Sequence, residues 1–188
     1  MENINVQKRD FTVKAKKMRR LGIIPGSVFG KSLPESISIQ MEESIARRLV
    51  RLKREGSKLV LNIDGRAIPV QIKEKTLNTV NNEIEHISFQ ALSADEKVNS
   101  IIHIIVVNDE KITGSLEKIM LEIPYASYPE DMIDTITVDL DGMPKDTVLT
   151  VGEIPELKND KIDLQVDSDS IVLKINDRKH HTSMVVEE

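Results

Sequence analysis

The densest chemistry in the sequence is cationic. Between Lys8 and Gly30 stand Lys8, Arg9, Lys14, Lys16, Lys17, Arg19 and Arg20, opposed by a single acid, Asp10. The charge run then breaks into Gly22, an apolar Ile23-Ile24, Pro25-Gly26 and a short Ser27-Val28-Phe29-Gly30 stretch. A solvated charge run trails off into polar linker, whereas this one feeds a tight turn and a strand. Cations pinned against a folded core suit a phosphate backbone, so the chemistry is binding.

Catalytic groupings are missing. The sequence has no GxxxxGKS/T loop, no GxSxG elbow and no HExxH pair. With no cysteine, thiolate catalysis, disulfides and Cys-based zinc sites are excluded, which fits a reducing compartment. Of the four histidines, His103 lies inside SIIHIIVVN and reads as a core or edge-strand residue rather than a ligand. His180-His181 falls in a polar tail, where metal binding would be adventitious. Asp139 and Asp141 stand at a strand end, where turn chemistry accounts for them. We therefore expect no enzyme, no cofactor, no metal and no small-molecule substrate. His86, in IEHISF, is different. In a small barrel the strand that ends the unit can lie beside the strand that begins it. His86 and Ser88 would then share a sheet face with Lys8 and Arg9, and the imidazole could donate to a phosphate or a base edge. A surface histidine without a role fits the spacing equally well.

The elements that must hold these residues are short. Residues 2–9 alternate as a strand. Thr12 to Leu21 reads as a helix with Ala15, Met18 and Leu21 inward and Gly22 closing it. Strands follow at Ser27–Phe29 and Ser36–Gln40. Met41 to Arg54 is the clearest helix, with Glu42 and Glu43 in its first turn, Lys53 and Arg54 in its last, and Ile45, Leu49 and Leu52 as its buried stripe. Arg47, Arg51 and Arg54 line its other face, either as a second phosphate-facing stripe or, the weightier reading, as a solvated one. Leu59–Ile63, Asp64-Gly65 and Ala67–Lys73 form a hairpin signal. A last strand, Ile84–Phe89, places Ile84, His86 and Ser88 on one face.

Residues 1–93 carry 17 Lys and Arg against 10 Asp and Glu, a balance of +7; the remaining 9 and 21 give −12, for −5 in all. The flip coincides with a boundary at Ala94–Asn99. Beyond it strands are expected at Ile101–Val107, Leu116–Ile123, Thr135–Leu140, Thr147–Val151, Ile162–Val166 and Ser170–Ile175, with no helix. The fold class is therefore α+β, mainly β. A small barrel with two or three short helices over 1–93 precedes an acidic all-β domain over 94–176 and a disordered tail over 177–188. No apolar run approaches the roughly 20 residues of a membrane helix, and the basic N-terminus has no apolar segment of a secretory signal. A basic half for a polyanion and an acidic half held off it follow from the asymmetry.

RRLGIIPGSVFG at Arg19–Gly30 and IEHISF at Ile84–Phe89, with the basic segment before them, resemble the bacterial large-subunit ribosomal proteins that bind 5S ribosomal RNA. The likeness is to their longer, two-domain general-stress (CTC-type) form. It implies a cytoplasmic, ribosome-associated protein without enzymatic activity, whose partners are 5S rRNA, the large subunit and neighbouring ribosomal proteins. It implies RNA contacts from Lys8, Arg9, Lys16, Lys17 and Arg19, with His86 reaching the same groove. Lys14, Arg20, Phe29 and Ser88 complete the expected RNA-binding set. Phe29 replaces the family's usual Tyr, and Ser88 replaces the Asp of His-x-Asp-Phe, so a donor and an acceptor are lost. Arg20 stands where the family often has a neutral residue and could compensate. The rival expectation is a stress-related interaction module whose acidic β domain contacts a protein.

Overall fold

In a computed structural model, which describes residues 2–112 and 114–176, the first half closes into a six-stranded barrel. Its strands are β1 (Asn3–Lys8), β2 (Ile23–Phe29), β3 (Ile37–Glu42), β4 (Lys58–Ile63), β5 (Arg66–Asn78) and β6 (Glu83–Ala91). They run around the barrel in the order β1-β3-β2-β6-β5-β4, and β1 closes the ring by pairing parallel with β4. Period-two alternation dictates which side faces in. Ile4 and Val6 of β1, Ile24 and Val28 of β2, and Leu59, Leu61 and Ile63 of β4 all enter one buried cluster. Asp64 (φ 50) and Gly65 (φ 85) both take left-handed backbone, as the two-residue hairpin turn between β4 and β5 requires.

Two helices attach to this barrel. Helix α1 (Ala15–Arg20) is shorter than its sequence pattern suggests and buries only Met18. Leu21, expected inward, is 64 % exposed, because the helix stops at Arg20 and Gly22 (φ 74) turns the chain away into β2. Helix α2 (Glu43–Leu52) begins two residues later than expected, Met41 belonging to β3. Its buried residues are Ala46 and Leu49, with Ile45 half-buried. Leu52 is 61 % exposed, since Lys53 already has extended backbone (φ −117, ψ 149) and carries the chain away.

The second half is β structure with short 3-10 turns and no α-helix among the described residues. Strand β7 (Val98–Val107) lies between β9 (Glu122–Ser127) and β10 (Thr135–Asp139), and β12 (Asp163–Leu164) extends that sheet beyond β9. A second sheet orders β11 (Val148–Thr150), β13 (Ile171–Asn176) and β8 (Ser115–Lys118). Both sheets bury their inner residues in one cluster containing Ile102, Ile123, Val172 and Leu173. Tyr125 is fully buried there; its hydroxyl donates to the Ile133 carbonyl at 3.0 Å and accepts from the Ile133 amide at 2.9 Å. The run Leu116–Ile123, expected as one strand, is two. At Ile119 and Met120 the chain crosses between sheets, both amides bonding to Val172 O, at 2.9 and 3.0 Å. The tail expected over 177–188 lies outside the described residues.

A polar seam joins the halves. Gly56 (φ 85) faces β7 so closely that a Cβ there would stand 2.6 Å from Ser100 Oγ and 2.9 Å from the Ile101 carbonyl. His103 is buried, and its Nε2 donates to the Glu55 carbonyl at 2.8 Å, which confirms a structural role rather than a ligand's. Lys58 Nζ donates to the Pro129 carbonyl at 2.8 Å, and Gln71 Nε2 to Asn99 O at 3.0 Å. Leu92, Val98 and Met132 add a small apolar cluster beside them.

Candidate nucleic-acid interface

Helix α1 packs on β2, its buried Met18 fixing the rotation that turns Lys16, Lys17 and Arg20 outward. Lys14, at the N-cap, is exposed as well. None of these four has an ion pair among the described residues. Arg19 is half-buried and ties the helix across β2 to the strand beyond, its Nη1 donating to the Glu85 carbonyl at 3.4 Å. The next residue in that strand is His86. Four exposed cations and an imidazole are thus brought to one side of the barrel.

His86 and Ser88 point outward from β6, Ser88 Oγ lying 3.2 Å from His86 Nδ1. Burial, chiefly, holds the imidazole below its usual pKa; Glu74 pulls the other way and Arg9 reinforces the lowering. The sheet neighbours differ from the sequence expectation. β6 lies between β2 and β5, with β3 separating β2 from β1, so the ending strand is not beside the beginning one. Arg9 nevertheless senses His86 electrostatically across the intervening strands. Ile84, expected on the same face as His86, is instead buried. Thr76 pairs with His86 and Leu77 with Ile84, so Glu85 is an extra residue that slips the alternation.

Other expected residues separate. Lys8 turns to the barrel rim, its Nζ 3.4 Å from Asp64 in the hairpin turn. Phe29 faces outward beside Gln90, two positions further along β2 than the Ser27–Ser88 pair and away from α1. Arg9 anchors its backbone amide on Ser38 O at 3.0 Å and lays its guanidinium 5.5 Å from the centre of the Phe11 ring. Phe11, absent from the sequence-based set, is 75 % exposed. A lone large apolar residue inside a charged loop was the available signal. On α2, Arg47 Nη2 pairs with Glu43 at 2.6 Å and Arg48 Nη2 with Glu2 at 3.0 Å, whereas Arg51 and Arg54, the other members of the expected stripe, have no ion pair among the described residues.

The site so defined is a surface whose exposed groups are mainly cationic. No cluster of three or more metal-ligating side chains occurs among the described residues, and no helix is long and apolar enough to cross a membrane. The molecule is thus of a definite class by fold and charge, a six-stranded barrel bearing a helix whose exposed cations have no ion pair among the described residues. Residues 4–89 match the sequence profile of the Ribosomal L25p family. Among its relatives are proteins named large ribosomal subunit protein bL25. The one from Listeria monocytogenes (serotype 4b, strain F2365) is 24 % identical over 161 residues, 83 % of this chain and 77 % of the relative. The one from Akkermansia muciniphila is 28 % identical over 132 residues, 68 % and 65 % of the two chains. The one from Methylobacillus flagellatus is 28 % identical over 176 residues, 88 % and 83 %. Alignments of that length take in the β-rich second half as well as the barrel.

Proposed function

We propose that this protein is a structural constituent of the large ribosomal subunit, working in the cytoplasm, and that it docks the α1–β6 face on 5S rRNA. The observation that carries the reading is the set Lys14, Lys16, Lys17 and Arg20, exposed on one short segment without ion pairs and held to β6 by Arg19. Cations left free of internal partners are available to displace counterions from RNA phosphates. His86 and Ser88 stand on the adjoining strand, where they reach base edges or 2′-hydroxyls in a widened groove. Regular A-form RNA hides its major groove, so a rigid barrel face selects a distorted internal loop by shape.

In this reading the chain has two domains, a 5S-rRNA-binding barrel over 1–93 and an acidic domain over 94–176, as in the CTC-type form of the family. The second, at −12 over 94–188, stays off the RNA and faces solvent or a ribosomal neighbour. The test is binding of the full chain to 5S rRNA across a salt series with transfer RNA as competitor. Competitor-resistant binding with a steep salt slope is the expected result. Weak, equal binding to both RNAs would overturn it.

A further inference from the structure

We propose that Phe11 is a stacking platform for an unpaired nucleobase of the bound RNA, a role that rests on the RNA-binding reading above. The chain has three phenylalanines. Phe89 is fully buried and Phe29 half-buried, whereas Phe11 is 75 % exposed in the loop between β1 and α1. That loop is held. Asp10 Oδ1 accepts from the Thr12 amide at 2.8 Å and the Thr12 hydroxyl at 2.6 Å, and the Asp10 amide donates to Gln40 Oε1 at 3.0 Å. A side chain presented from a fixed turn loses little further freedom on binding.

One face of the ring is occupied by Arg9, 5.5 Å from its centroid, which leaves the other face for a ligand. Arg9 Nε is buried and has no hydrogen-bond partner, one of five such side-chain atoms among the described residues. Phe11 and Arg9 also line an open cleft of about 540 Å³ with Lys8, Leu33, Pro34 and Arg66. Glu35 is the one acid of the lining, and Lys8 also reaches Asp64; the remaining balance of cations beside an apolar floor matches a nucleotide, whose base is flat and apolar and whose phosphate is anionic. Lys14, three residues on, lies at most about 11 Å away along the backbone and belongs to the proposed phosphate-binding set.

The full chain is tested against 5S rRNA. Phe11→Ala should weaken binding at least about fivefold while leaving the salt slope unchanged, since stacking releases no counterion. Because the chain has no tryptophan, Phe11→Trp supplies a single reporter; it should bind as the parent does and lose emission when RNA is added. Unchanged affinity for Phe11→Ala, or undiminished emission from the bound Phe11→Trp protein, overturns the inference and assigns the ring to a protein contact. The two readings fail separately. If replacing Lys16, Lys17 and Arg19 by Ala weakens binding and Phe11→Ala does not, only the stacking role falls. If neither has an effect, RNA binding by this face falls with it.

Discussion

Helix α1 and the second half of the chain treat positive charge differently. In the second half, Lys111 pairs with Asp141 at 2.7 Å, Lys118 with Asp109 at 3.0 Å and Lys161 with Asp131 at 2.8 Å. Lys118 accordingly holds the Asp109 carboxyl below its usual range, and Asp131 holds the Lys161 amine above its own. Helix α1 offers its cations no such partners. Surface ion pairs of this kind add little stability, so what separates the regions is availability: these three lysines are engaged, whereas Lys14, Lys16, Lys17 and Arg20 form no ion pair among the described residues. Net charge alone, +7 against −12 by sequence, would not reveal that distinction.

The sharpest way to break the comparison is to remove three cations from each half in turn. Lys16, Lys17 and Arg19 changed together to Ala should cost about a hundredfold in affinity for 5S rRNA and flatten the log–log salt slope by about 2 to 3. Lys111, Lys118 and Lys161 changed to Ala should leave affinity within about twofold. Equal losses would mean that only net charge matters.

Next in size is the join. Gly56→Ala combines left-handed backbone with a clash against Ser100 and Ile101, and should destabilise the protein by about 2–4 kcal/mol. Denaturant unfolding followed by probes in each half is expected to separate into two transitions. A single unchanged transition would mean that the halves do not depend on this approach. Asp134 should act more weakly and in the other direction. Burial, foremost, raises its pKa above 3.8, against the pull of Lys58, Lys53, Ser57 and His103. The native state therefore holds this proton more tightly than the unfolded chain does. Stability falls as pH rises from about 3.8 through the folded value, so Asp134→Asn should be stabilising at pH 7 and remove that dependence.

The smallest effect belongs to His86. Its folded pKa is below 6.5, so its contribution to stability is present above pH 6.5 and fades as pH falls through the folded value. A nearby phosphate favours the charged ring. RNA affinity should therefore rise a few-fold as pH falls below 6.5, and His86→Asn should abolish the rise. A pH-independent affinity in the parent would remove His86 from the interface.

Local chemistry made much of this legible beforehand. The Asp64-Gly65 hairpin, the alternating barrel strands and the buried Met18 follow from turn preferences and periodicity. What escaped is non-local. The parallel pairs β1–β4, β2–β6 and β7–β10 leave no mark in any one segment, so the neighbours of β6 were misplaced. The slip at Glu85 hides inside a regular-looking alternation, and Leu116–Ile123 keeps its apolar character while changing sheets. The cations of the interface could be read from type and spacing. Their freedom from partners could not, and neither could the exposure of Phe11, because both depend on what the fold leaves uncovered.

The place of β6 also sets an order of events during synthesis. It is the last barrel strand to emerge, yet it sits in the interior of the ring, between β2 and β5. Until residue 91 is available, the nascent chain holds an open five-stranded sheet with two unpaired edges, the kind of intermediate prone to mispairing. Arrival of β6 seals both edges and in the same step delivers His86 to the cationic helix. On the RNA-binding reading proposed above, the newborn protein has no complete docking surface until its barrel is shut, and an unfinished copy would not compete with a finished one for the RNA.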